Sequence, residues 1–200
     1  KFGYYNGYTV GQGSTTLYPT SGDMDDWFYG TLGVPAYTVE LGTAFFQSCT
    51  YFETNILNKN LQMLLYAFKA ARRPYQTPAG PEVTGAAVEP TTITPGQAAL
   101  LTAQVADNRY GGAGEPTQAV VAARYTIDQP SWAGGTTFPL QAADGAFDEV
   151  SELVQASVPT GGLALGRHTV FVEGQDANGV WGVPTATFIT VVEAPEGCTN

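Results

Sequence analysis

The sequence predicts an α/β first part joined to an all-β sandwich, and three observations lead there. A helical pattern over residues 50–73 ends at Pro74, with the short strand-like run Tyr37–Leu41 before it. Beyond residue 82, about seven short β-type runs are separated by turns. Charge divides along the same line. Residues 1–77 hold five bases and five acids, whereas residues 78–200 hold three bases against thirteen acids. The expected division is therefore a first domain over 1–75, a Pro/Gly linker over 76–81, a β-domain over 82–195 and a tail over 196–200.

Composition limits the function classes. A net charge of −10, concentrated in the second half, argues against nucleic-acid binding, which needs a basic surface to neutralise phosphates. Charged residues make up only 13% of the chain, and with many Gly, Thr, Ala and Tyr this suits a secreted or cell-surface protein. No apolar run approaches the roughly 20 residues that a membrane helix needs. The chain opens at Lys1 with no signal peptide and reads as a processed or truncated piece. Its two cysteines, Cys49 and Cys198, fit no zinc or redox spacing. A bridge between them, a bridge from Cys49 to an upstream partner, and no disulfide at all are left open by the sequence.

Taken in order, residues 3–13 are rich in Gly and Tyr but lack the Lys-Ser/Thr of a phosphate loop, so they read as a surface loop over a cleft. Ser21 or Asp23 is placed to cap a short helix over Met24–Tyr29, with acids in its first turn, and Gly30 and Gly33 end it. In the strand that follows, Tyr37, Val39 and Leu41 share one face and Thr38 and Glu40 the other. A glutamate on a strand otherwise built for a core faces a cleft more readily than it is buried unpaired.

Thr50 and Glu53 have capping-box spacing. Phe52, Ile56, Leu57, Leu61, Leu64, Leu65 and Phe68 then recur at helical spacing, and Arg72 and Arg73 suit the C-terminal dipole. That stripe needs a sheet to pack on, and residues 1–50 supply only a small part of one. In the β-domain the expected runs are 82–88, 98–106, 119–127, 136–142, 146–156, 168–174 and 184–192. Their number and spacing suggest an immunoglobulin-like sandwich without a Cys…Trp…Cys signature. Acids at Asp144, Asp148, Glu149 and Glu152 and in the turn at Asp176 match no complete calcium loop, and hairpin turns account for them better. Trp132 and Trp181 would serve a carbohydrate module only if exposed, and packing is their default.

The residues Tyr18, Ser21-Gly22, Asp26-Trp27, Tyr29 and Thr38-Val39-Glu40-Leu41 together resemble the end of a zinc metallocarboxypeptidase catalytic domain of the carboxypeptidase A and T type. Tyr8-Thr9-Val10-Gly11 resembles the Tyr-x-x-Gly loop that precedes that family's mobile tyrosine. The resemblance covers the first third of the chain, and Tyr18 and Glu40 keep the family's separation of 22 residues. It implies that Glu40 is the general base that takes a proton from zinc-bound water. It implies that Tyr18 closes over the substrate. It also implies that Asp23 and Asp25 line the floor of the pocket for the last side chain, with Asp25 favouring C-terminal Lys or Arg. Both acids equally suit a helix N-terminus.

The family's His-x-x-Glu and its second histidine have no counterpart here. The one histidine, His168, lies in the β-domain and cannot make a three-ligand site. Zinc is thus expected only in a complete enzyme, with ligands on an upstream segment, and this chain alone is expected to bind no catalytic zinc and to be inactive. Peptide or protein C-termini are the expected substrates, and a bacterial extracellular setting the expected place. The competing reading is a non-catalytic structural, adhesive or filament-forming fragment that self-assembles through exposed strand edges.

Overall fold

The computed structural model describes residues 1–111 and 116–194. The chain splits into two compact units, one of Lys1–Pro74 with Arg109–Glu115 and the other of Tyr75–Asn108 with Pro116–Asn200. The expected tail over 196–200, and Cys198 with it, falls outside the described residues. Cys49 is exposed.

The first unit is helical. Its elements are α1 (Phe2–Asn6), α2 (Gly13–Thr16), α3 (Met24–Leu32), α4 (Cys49–Tyr51), a π-helical stretch (Phe52–Leu57) and α5 (Asn58–Ala70). The expected strand Tyr37–Leu41 does not form, and residues 33–41 run without regular structure. A strand satisfies its backbone groups only beside another strand, and among the described residues this unit contains none. The α/β expectation for residues 1–75 is therefore not met by these residues.

Helix α3 extends past Tyr29 to Leu32, carries Gly30 inside it, and stops at Gly33. There a left-handed φ of 65° lets the Gly33 N–H reach the Tyr29 carbonyl at 3.0 Å. The capping box at Thr50 is not used. Ser48 is the cap, its Oγ accepting from the Tyr51 N–H at 3.2 Å, because the helix begins two residues earlier than the Thr50 signal.

The buried face of the long helix also differs from the expected stripe. Ile56, Asn60, Met63, Tyr66 and Ala70 are buried, on the side where α1 packs. Of the expected stripe only Ile56 is among them. Leu61, Leu64, Leu65 and Phe68 stay exposed. Helical periodicity marks both sides as apolar, and among the described residues α1 packs on one of them.

The second unit is β-rich. Its strands are β1 (Glu82–Glu89), β2 (Thr92–Ile93), β3 (Ala98–Ala106), β4 (Val120–Ile127), β5 (Phe138–Ala142), β6 (Ser151–Pro159), β7 (Gly166–Asp176) and β8 (Thr185–Val191). They pair in the order β1-β3-β6-β5-β4-β7-β8-β2, antiparallel except for β2 with β8. Strand β5 joins two ladders: Phe138–Leu140 pair with β4, and Gln141 and Ala142 with β6.

Alternation explains the core. Along β3, Ala99, Leu101, Ala103 and Val105 are buried while Leu100 and Thr102 are not. They meet Val154, Val172 and Ile189 in one apolar cluster. Two-residue β2 is too short to leave a periodic signal. Strand β6 begins at Ser151 rather than Ala146 because residues 143–150 are spent on a turn. The Asp144 carboxylate accepts from the Ala146 N–H at 3.2 Å, and the Glu152 carboxylate from the N–H groups of Asp148 and Glu149 at 2.9 and 2.7 Å. Asp176 does the same for Asn178 and Val180. These acids therefore hold backbone turns together.

His168 lies at the start of β7. Its Nδ1 is 2.6 Å from Asp128 Oδ2 and its Nε2 is 2.8 Å from the Ala164 carbonyl. Both neighbours are acceptors, so both ring nitrogens are satisfied as donors only in the imidazolium form. The bond to Ala164, then that to Asp128, raises the His168 pKa above its ordinary 6.5, against a smaller opposing effect of burial. A raised folded pKa contributes stability that is complete below the unfolded value and is lost as pH rises through the folded value. Melting temperature is therefore expected to fall as pH rises above about 6.5, and His168→Gln should flatten that slope. Melting curves from pH 5 to 9 on both proteins check it; equal slopes would remove His168 as the cause.

Candidate active-site segment

Helix α3 presents two of the expected site residues. Asp23 occupies its N-cap position without a side-chain cap bond, and its carboxylate accepts instead from the Thr20 hydroxyl. Asp25, in the first turn and half-buried, accepts from the Thr38 hydroxyl through Oδ2 at 2.8 Å. That bond draws the start of α3 to the segment that carries Glu40, two residues beyond Thr38. Glu40 is exposed. Tyr18, in the irregular stretch between α2 and α3, is 65% exposed. Among the described residues no hydrogen bond joins Tyr18 to Glu40, Asp23 or Asp25. The structure thus brings Asp25 and the Glu40 segment together, while Tyr18 stands apart in solvent.

The Glu40 segment is held by side chains rather than by a sheet. The Gly42 N–H donates to the Tyr8 hydroxyl at 3.1 Å, and Asn60 Nδ2 donates to the same oxygen at 3.1 Å. Asn6 Nδ2 donates to Asn60 Oδ1 at 3.2 Å, and the Tyr8 N–H to Asn6 Oδ1 at 3.0 Å. Both asparagines are only 5% exposed. On the other side of Glu40, the Tyr37 ring meets Phe2 edge-on with centroids 5.1 Å apart, and Phe2 meets Tyr66 of α5 at 6.2 Å.

Sequence reading missed Thr38, Asn6 and Asn60 as site-related residues and took Tyr8 only as part of a loop. Asn60 did leave a signal, a polar residue at i+4 from Ile56 and i−3 from Met63 on one helix face.

Among the described residues no three His, Cys, Asp or Glu side chains gather as a metal site. With His168 engaged at both nitrogens in the second unit, the residues present do not fit a catalytic zinc. Of the two tryptophans in the second unit, Trp181 lies beneath the Arg124 guanidinium, 3.6 Å from the ring centroid, and that arginine also bonds Glu173 at 2.8 Å. Trp132 is half exposed in a 3₁₀ turn. No helix among the described residues is long and apolar enough to cross a membrane.

No curated protein matches the chain. Among solved structures, the fibronectin(III)-like modules of Clostridium thermocellum CbhA align at 12% identity and a TM-score of 0.36, over 57% of this chain and 100% of that one. The Pseudomonas fluorescens alkylpurine DNA glycosylase AlkC, bound to DNA containing an abasic site analog, aligns at 18% and 0.39, over 65% of this chain and 34% of that one. The endo-beta-1,4-mannanase from Thermotoga petrophila aligns at 10% and 0.38, over 77% and 30%. Residues 2–63, which hold Tyr8, Tyr18, Asp25, Glu40 and Asn60, match the family model for zinc carboxypeptidase.

Proposed function

We propose that the chain is the C-terminal part of a secreted bacterial zinc carboxypeptidase that removes C-terminal residues from peptides and proteins, followed by an immunoglobulin-like domain. The observation that supports this reading, beside the family match over residues 2–63, is the Asp25–Thr38 bond, which ties Asp25 to the segment that carries Glu40. Glu40 accepts the proton of the attacking water and returns it to the leaving amine. Tyr18 is free in solvent to close on the substrate. Asp23 and Asp25 form the floor of the pocket for the last side chain.

The zinc ligands belong to an upstream segment that completes the α/β domain. The exposed Leu61, Leu64, Leu65 and Phe68 are the face on which that segment packs, because large apolar side chains at helical spacing are rarely left in water together. Without it the chain is inactive. Two antiparallel ladders joined through β5 support the sandwich reading of the second unit.

The test is intact-mass spectrometry on the protein purified natively, combined with hydrolysis of peptides ending in Lys, Arg or Leu. A zinc-bearing partner segment with His-x-x-Glu, and release of the last residue, are the expected results. A 200-residue species alone, inert towards all three peptides, would overturn the reading. It would leave the structural or adhesive fragment, which the essentially fully exposed Phe45 and Phe46 favour through self-association. Such a species that stayed monomeric at every concentration would count against that second reading too.

Within the proposed enzyme, Asp25→Asn should lower the preference for C-terminal Lys or Arg over Leu by about tenfold to a hundredfold, the value of one hydrogen bond to a charged group. The ratio of kcat/KM values for the peptides measures it, and an unchanged ratio would return Asp25 to a helix-dipole role.

A further inference from the structure

We propose that Tyr8 and Asn60 are positioning residues for Glu40; this rests on the reading of Glu40 as the general base. Residues 33–41 have no strand partner to fix them, yet a general base must sit within hydrogen-bond reach of the proton it takes. The segment is pinned at three points instead. Tyr37 packs on Phe2, Thr38 donates to Asp25, and the Gly42 N–H donates to the Tyr8 hydroxyl.

The third point bears most directly on Glu40, because it is a backbone bond two residues away and is anchored in the core of the unit. The Tyr8 oxygen is itself held by Asn60 Nδ2, which also donates to the Ile56 carbonyl at 2.9 Å. Asn60 Oδ1 is held by Asn6, and Asn6 Oδ1 by the Tyr8 N–H. The network is closed and its two asparagines are buried, so each member fixes the next, and a buried amide left unpaired would be costly. Gly42 is seated tightly against it. At φ +82°, a Cβ at this position would stand 2.8 Å from the Ile56 Cδ1. The Ile56 side chain, from the π-helical stretch that leads into α5, thus lies directly against the backbone two residues beyond Glu40.

Tyr8→Phe keeps the ring and removes the acceptor. In the 200-residue chain, the Gly42 amide is expected to exchange with deuterium about tenfold faster, while the Met63 amide in α5 keeps its rate. An unchanged Gly42 rate overturns the proposal. If Tyr8→Phe loosens α5 as well, Asn60→Leu, close in size and helix-favouring, decides by the same comparison.

In the zinc-loaded complete enzyme, Tyr8→Phe should lower kcat per bound zinc by about ten- to a hundredfold, with KM within about twofold, as expected for a misplaced reacting group. A purely structural role would lower the melting temperature and leave kcat per zinc unchanged, which also overturns the proposal. Glu40→Gln in the same enzyme separates the two ideas. If it stays active, the carboxypeptidase assignment of Glu40 fails; if it is inactive while Tyr8→Phe has full kcat, only the positioning role fails.

Discussion

Glu40→Gln is expected to reduce kcat of the complete zinc-loaded enzyme by about 10²–10⁴-fold, the usual contribution of a positioned general base. The substitution keeps the shape and removes the ability to take a proton. Glu40 is exposed, and among the described residues its side chain makes no hydrogen bond, so the folded state has little to lose. Stability should change by less than about 0.5 kcal/mol, as for surface sites generally. Melting temperature and zinc content measured beside kcat separate lost chemistry from lost protein. Activity within twofold of the parent would mean that another residue takes the proton, and Tyr18, Asp23 and Asp25 would lose their assigned roles with it.

Gly182→Ala is expected to destabilise the β-rich unit by about 3 kcal/mol, at the upper end for overpacking. A Cβ on Gly182 would stand 1.7 Å from the Pro81 carbonyl oxygen and 2.7 Å from its carbonyl carbon. Those are backbone atoms, so no change of rotamer relieves the clash. The backbone cannot retreat cheaply either. The Gly182 N–H is bonded to the Gly174 carbonyl at 2.9 Å, and a Cβ on Gly80 would meet the Gly182 nitrogen at 2.6 Å. Chemical denaturation monitored by tryptophan fluorescence, Trp181 being the neighbour in sequence, measures the loss. A change below about 0.5 kcal/mol, the range of ordinary surface substitutions, would show that residues 80–81 are not held against β7 and its following turn.

Residues 76–81 show how composition and packing part company. Two prolines and a glycine read as a linker, and Gly80 and Pro81 are buried against Gly182, a contact about a hundred residues away that no local pattern encodes. The same holds for the long helix. Its period was legible, but which side is buried depends on α1, and the exposed leucines show that amphipathic spacing names candidate faces without naming what covers them. At Tyr37–Leu41 the alternation was real and the strand was not, since pairing is a property of two segments and no second strand lies among the described residues of that unit.

By itself the sequence determined what local periodicity and turn chemistry can encode. That covers the seven longer strands of the second unit to within a few residues at most ends, the start of α3 at Met24, and a resemblance over the first third of the chain where the zinc carboxypeptidase family model matches. Only the tertiary structure decided how Glu40 is held, because Asn6, Tyr8, Gly42 and Asn60 are up to 54 residues apart and meet only when the chain folds back on α5. Hydrogen bonds between distant side chains leave no period in a sequence, whereas burial of alternate residues does.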